Sequence, residues 1–221
     1  MGDALLDNLS QSQGGPHAAG FAIAPGIVTN NLDVLSQGRV QVKIPSRPSF
    51  EPWARVSSVG ASGSRGFLWI PQINDEVLVA FAEDDLGSSY VLGGLWSTLK
   101  RPPLSIPTDF LIKKVIKTGA TGALGHEIEF DDALQSISIK TSTDQKITLD
   151  PLKIELSNLA GTVTITLDNK TQEVKISAVN KIALESLAIE LKAAKIDVTT
   201  ANFSVTSTGP CSITGLPIKL N

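Results

Sequence analysis

Ile182-Ala183-Leu184-Glu185-Ser186-Leu187-Ala188-Ile189-Glu190-Leu191-Lys192-Ala193-Ala194-Lys195-Ile196-Asp197-Val198, continuing through Thr199-Thr200-Ala201-Asn202 to Phe203-Ser204-Val205, decides the fold of half this chain. Positions 182, 189, 196 and 203 are apolar and seven apart, and so are 184, 191, 198 and 205. A step of seven suggests a coiled coil, but a helical seam needs apolar residues three and four apart. Here the persistent spacing is two, which splits a pair across a helix and unites it on one face of a strand. The run from 183 to 195 is rich in helix formers, and a helix competes there. Val163-Thr164-Ile165-Thr166 and Val198-Thr199-Thr200 carry the β-branched residues of strands, so strands are the favoured reading.

The same pairs extend toward the N-terminus and to the end of the chain. Ile137/Ile139, Ile147/Leu149, Ile154/Leu156, Val163/Ile165 and Val174/Ile176 precede Ile182/Leu184, Ile189/Leu191, Ile196/Val198 and Phe203/Val205, and Ile218/Leu220 follows. Each pair marks one strand with two inward aliphatics, too few for a core. The strands must stack about 4.7–4.9 Å apart so that the pairs form one column. The pairs from Ile147/Leu149 to Phe203/Val205 are the candidate core of that shaft. One chain coiling on itself satisfies this, and so do three identical chains wound as a triangular prism. The first gives only about four coils, the second a shaft on the order of 50 Å from the same spacing. Periodicity leaves both open. Thr164, Thr166, Lys175 and Lys181 fall on the outward side of either.

Residues 21–98 have a different texture. Val40, Val42 and Ile44 alternate with Arg39, Gln41 and Lys43, and Val77, Val79 and Phe81 alternate again. With Gly26-Ile27-Val28, Trp53-Ala54-Arg55-Val56, the apolar run Gly66-Phe67-Leu68-Trp69-Ile70-Pro71 and Tyr90-Val91-Leu92-Gly93-Gly94-Leu95-Trp96, this reads as a small all-β barrel or sandwich. Residues 99–124, with Arg101-Pro102-Pro103 and Ile106-Pro107, read as a neck, 125–221 as the shaft, and 1–20 as a polar tail that is either a loose terminus or one helical turn docking through Leu5, Leu6 and Leu9.

Composition excludes several functions. Nineteen Lys+Arg stand against 22 Asp+Glu, a net charge of −3 that does not favour nucleic acid as a partner. One cysteine, Cys211, and two distant histidines, His17 and His126, leave no zinc framework and no evident triad. The N-terminus shows no signal peptide, and no run is long enough to span a membrane, so cytoplasmic synthesis without stable membrane insertion is expected. Glu83-Asp84-Asp85 and Asp131-Asp132 read as solvated turns rather than metal or acid–base clusters. Gly60-Ala61-Ser62-Gly63-Ser64-Arg65-Gly66 lacks the ending of a phosphate loop and reads as a barrel loop. Cys211 reads as a small packed side chain, and Trp53, Trp69 and Trp96 as core rather than ligand platforms. No catalytic, cofactor-binding or metal-binding residue is assigned.

Gly38-Arg39-Val40-Gln41-Val42, Trp53-Ala54-Arg55-Val56, Gly66-Phe67-Leu68-Trp69-Ile70-Pro71, Asp75-Glu76-Val77-Leu78-Val79-Ala80-Phe81, Val91-Leu92-Gly93-Gly94-Leu95-Trp96 and Gly125-His126-Glu127-Ile128-Glu129-Phe130-Asp131-Asp132, followed by the repeats and Pro217-Ile218-Lys219-Leu220-Asn221, stand in an order that resembles the phage baseplate assembly protein V and VgrG spike family. The resemblance implies an all-β chain: an OB-fold barrel followed by an intertwined, trimeric triple-stranded β-helix. It implies a non-enzymatic homotrimeric spike at the baseplate tip of a virion or phage-tail-like injection particle. A separate hub protein would sit on the N-terminal side, and a PAAR-type cap on Ile218, Lys219, Leu220 and Asn221. The interval from Lys100 to Gly125 is too short for an inserted lysozyme domain, and the chain has no His-x-His pair for tip iron, so no cofactor is expected. The competing readings are an OB module on a β-solenoid stalk, binding oligosaccharide or nucleic acid, and an envelope-degrading enzyme.

Overall fold

Val40, Val42 and Ile44 are fully buried in the computed structural model, which describes residues 22–82, 85–119 and 125–218. They lie on β2 (Arg39–Lys43) and just beyond it, with Arg39, Gln41 and Lys43 facing away as alternation requires. β1 (Ala22–Asn30), β2, β3 (Trp53–Val56), β5 (Asp85–Leu95) and β4 (Glu76–Ala82) close into a barrel in that order. Neighbours run antiparallel except β3 and β5, which meet in parallel with Arg55 opposite Tyr90. Val28, Ala54, Val77, Val79, Phe81 and Val91 complete its core.

Gly26 makes the closure possible. It sits opposite Val77, where a methyl group would collide with Val42 Cγ1 and crowd Ile44 and Val79. The β1–β2 loop is fixed by Asp33. Its carboxylate accepts bonds from the backbone N–H groups of Leu35, Gln37 and Arg39 and from the Arg39 guanidinium at 2.8 Å. The guanidinium holds the Asp33 carboxyl well below the usual carboxylate range; burial opposes this, and the backbone donors add to it. Arg39 in turn lies over the Trp53 ring.

After a one-turn helix α1 (Asp109–Ile112), seven strands run as an antiparallel meander. These are β6 (Lys113–Lys117), β7 (Glu127–Asp131), β8 (Ser136–Lys140), β9 (Lys146–Leu149), β10 (Lys153–Ser157), β11 (Val163–Asp168) and β12 (Glu173–Ala178). Aspartate and asparagine side chains or left-handed residues shape the hairpins from β7 onward. Gln135, Asp144, Gly161 and Gln172 have positive φ, and Asp150, Asn158 and Asp168 accept bonds from backbone N–H groups in their own turns.

The chain divides after Lys181 into two units. In residues 182–218 the described backbone forms no helix and pairs with no strand. The helix formers of 183–195 therefore do not impose a helix, and the strands read there are not laddered within the chain.

Three further expectations are corrected. Residues 66–71 are not a strand; Phe67, Leu68 and Trp69 lie on an exposed loop, and Trp96 is exposed as well, because the core is already filled by smaller aliphatics. The span read as a neck contains β6, so the sheet starts before Gly125. Cys211 is exposed rather than packed.

Gly26→Ala should destabilise the barrel by about 1–3 kcal/mol, the usual cost of overpacking. Gly93→Ala, where an added methyl meets nothing within 4 Å, should change little. Denaturant midpoints of the two variants check this contrast.

Candidate assembly interface

The register of the meander sorts its side chains onto two faces. Ile116 lies opposite Ile128, Ile128 opposite Ile139, and Ile139 opposite Ile147. Ile147 then meets Leu156, Leu156 meets Ile165, and Ile165 meets Ile176. A second row runs Phe130, Ile137, Leu149, Ile154, Leu167, Val174. Val163, opposite Ala178, begins a third row on the same face. Every strand thus contributes aliphatic or aromatic side chains to one continuous apolar face.

Nothing among the described residues covers that face. Ile137 and Ile139 are more than a third exposed, and Val174 is 67% exposed. One row of large apolar side chains across seven strands and a second across six form a patch far larger than scattered surface hydrophobics. Cross-strand aliphatic pairs stabilise the sheet laterally, yet Ile139, Leu156, Val163, Val174 and Ile176 stay exposed to water.

The opposite face is polar and internally neutralised. Lys113 Nζ lies 3.2 Å from Glu129 and 3.3 Å from Asp131, Lys117 lies 2.7 Å from Glu127, and Lys153 lies 2.6 Å from Glu155. Thr164 and Thr166 stand opposite Ser177 and Lys175 on this side. Asp131 corrects the reading of a solvated turn: its side chain is buried, accepts the Leu134 N–H at 2.9 Å and pairs with Lys113. The Leu134 N–H lowers its acidity range first; burial opposes this, and Lys113 adds to it. Glu129 and then Asp131 raise the Lys113 ammonium, while burial opposes them.

The structure brings eight of the sixteen candidate core residues together on the apolar face: Ile147, Leu149, Ile154, Leu156, Val163, Ile165, Val174 and Ile176. The other eight, Ile182, Leu184, Ile189, Leu191, Ile196, Val198, Phe203 and Val205, lie in the second unit and are between 51% and 73% exposed. Of the tip residues, Ile218 is half exposed, and Lys219, Leu220 and Asn221 lie outside the described residues, as do His17 and Glu83-Asp84. Ile116, Ile128, Phe130 and Leu167 belong to the apolar face but not to the candidate core. Their alternation with Lys117, Glu129, Asp131 and Asp168 was the available signal.

Other chemistry is sparse. Among the described residues no group of three or more His, Cys, Asp or Glu side chains is placed to hold a metal. His126 Nδ1 accepts the Ser142 N–H at 3.3 Å and its backbone pairs with Thr118, a structural position. No helix among the described residues is long and apolar enough to cross a membrane.

Comparison with known proteins matches the barrel to one family. Residues 24–96 match the family described as the type VI secretion system/phage-baseplate injector OB domain. The type VI secretion system spike protein VgrG2a of Pseudomonas aeruginosa is 27% identical over 113 residues, 48% of this chain and 13% of that protein. The actin cross-linking toxin VgrG1 of Vibrio cholerae serotype O1 is 26% identical over 132 residues, 56% of this chain and 12% of that protein. The chain therefore spans only a small part of these curated relatives. It also aligns over 75% of its length with 27% of a chain in the lidded Francisella PdpA–VgrG complex, at 6% identity and a TM-score of 0.33, a likeness too loose to fix an arrangement.

The charged face gives the stability a defined pH window. Asp131 is shifted down, so its contribution is complete above the range of an unfolded aspartate, about 3.9, and fades as pH falls further. Lys113 is shifted up, so its contribution is complete below the range of an unfolded lysine, about 10.4, and fades as pH rises past its folded value. Asp131→Asn should therefore lower stability at neutral pH and flatten the loss between neutral pH and pH 2. Denaturant midpoints measured against pH for both proteins test this.

Proposed function

From a barrel that belongs to the type VI secretion system/phage-baseplate injector OB-domain family, and so groups the chain with baseplate V/VgrG-type spikes, we propose that this protein is the structural spike of a contractile injection particle, assembled as a homotrimer and not an enzyme. Its barrel side meets a separate baseplate hub. Its C-terminal end, through Ile218, Lys219, Leu220 and Asn221, carries a PAAR-type cap. After cytoplasmic synthesis it joins the baseplate tip of a virion or phage-tail-like particle, and it works by piercing the target envelope.

The uncovered apolar face is the observation that carries this reading. Burying a Leu, Ile or Val side chain is worth about 1.5–3 kcal/mol, so copies of the same chain gain strongly by closing their sheets face to face. Three such faces turned toward one axis make a prism with the charged faces outside, where the ion pairs already neutralise one another.

A change in turn chemistry supports winding beyond Lys181. The hairpins of the meander carry the aspartate, asparagine and left-handed residues that return a strand to its own chain. Glu185-Ser186-Leu187-Ala188 and Lys192-Ala193-Ala194-Lys195 contain no glycine, asparagine or aspartate, and no described residue of 182–218 has positive φ. A strand followed by such a corner runs on rather than folding back. Its backbone donors and acceptors are then free to pair with strands of the other copies. Interwinding of this kind makes the shaft stiff and slow to come apart, which suits a part that transmits force along its axis.

The alternative, a barrel that binds oligosaccharide or nucleic acid on a solenoid stalk, has the exposed Trp69 and Trp96 in its favour. It leaves the apolar sheet face without a function, and a net charge of −3 does not favour a polyanion.

Light scattering on the eluting protein should give the mass of three chains, resistant to mild detergent; the mass of one chain would overturn the proposal. Ile189→Asp places three charges in one buried layer and should abolish the three-chain species or slow its formation by orders of magnitude. Glu190→Gln, at the outward position beside it, should assemble normally.

A further inference from the structure

The loop after the Ser62–Arg65 hairpin exposes three large aromatic side chains around one opening. Phe67 and Trp69 stack with centroids 5.6 Å apart and planes 10° from parallel. Phe67 is 52% exposed and Trp96, just after β5, is 69% exposed. With Trp69 they line a cleft of about 690 Å³ whose other wall is β6. Large aromatics held open in this way are the usual anchors of protein contacts, because they desolvate a large area at low entropic cost.

The cleft is continuous with the apolar face of the sheet. Ile116 is the shared residue: it lines the cleft and heads the row that runs through Ile128 and Ile139. Val115 and Lys117 line the cleft from the other face of the same strand. The surroundings have the form of an interface, with an apolar centre and a polar edge. Arg101 stands at that edge beside Asp75, which is already paired with Lys100 at 2.8 Å.

We infer that a neighbouring copy of this chain fills the aromatic cleft, so that the assembly is fastened at the junction of barrel and sheet as well as along the sheet. This rests on the homotrimer reading above and adds a second, separate point of attachment. The sequence alone led to the opposite expectation, because Trp69 and Trp96 sit in apolar runs that resemble core strands. The barrel core is already filled by valines, Ile44, Ala54 and Phe81, and the two tryptophans are left at the surface.

Single-tryptophan proteins test the inference: Trp69 alone or Trp96 alone, with the other two tryptophans replaced by Phe. Acrylamide quenching is measured on each assembled species, with its mass taken by light scattering in the same sample. Both tryptophans should be quenched several-fold less than free N-acetyltryptophanamide, with blue-shifted emission. Quenching close to that of the free indole, in a sample with the mass of three chains, overturns the inference and leaves the homotrimer standing. A one-chain mass overturns both. If chitin oligosaccharides protect tryptophans that are otherwise accessible in the three-chain species, the cleft is a sugar site and the inference is overturned. As an independent check, Trp69→Ala/Trp96→Ala should still give three chains, held by the sheet and shaft, but should dissociate at clearly lower denaturant; an unchanged dissociation midpoint counts against the inference.

Discussion

A sheet face that carries two rows of large apolar side chains favours cover over contact with water. In this protein the constraint is acute, because seven strands turn isoleucine, leucine, valine and phenylalanine to the same side while the other side is neutralised by its own ion pairs. The polar face needs no partner and the apolar face has none within the described chain. In the proposed assembly that asymmetry turns the apolar side inward and the charged side to solvent. It also distinguishes the barrel from the sheet: the barrel completes its own core, whereas the sheet leaves one apolar face uncovered among the described residues.

The second unit extends the same constraint to the backbone. Its apolar pairs keep the within-pair spacing of two, and its corners at 185–188 and 192–195 lack glycine, asparagine and aspartate. A chain that neither coils into a helix nor returns on itself leaves its amide groups to water or to another chain. Exposed aliphatics at every seventh position make water a poor permanent partner. The first unit makes its sheet within one chain; the second carries apolar pairs at the same spacing of two with no strand pairing among its described residues.

Much of this was legible in the residues, for definable reasons. Alternation at Val40-Gln41-Val42 reports a half-buried strand, and Val77, Val79 and Phe81 recur two apart within an apolar run; both segments lie in the barrel with Val40, Val42, Val77 and Val79 inward. The pairs Ile147/Leu149 to Val174/Ile176 report strands sharing one face for the same reason. What failed was composition without periodicity. Phe67-Leu68-Trp69-Ile70 is apolar without alternating, and such a run does not distinguish core from interface. Asp131 looked solvated because its partner Lys113 is remote in sequence and comes opposite it only once β6 pairs with β7. β6 itself was hidden because Lys113-Lys114-Val115-Ile116-Lys117 follows a proline-rich stretch and offers a weak alternation.

Hydrogen–deuterium exchange across residues 182–205 of the purified, assembled protein tests the central claim most directly. With no partner for these amides within the described chain, protection must come from other copies. Exchange slowed to minutes or hours in the assembled species, and lost when it is dissociated to single chains, is the expected result. Exchange complete at the earliest time point, at the rate of an open chain, would contradict it.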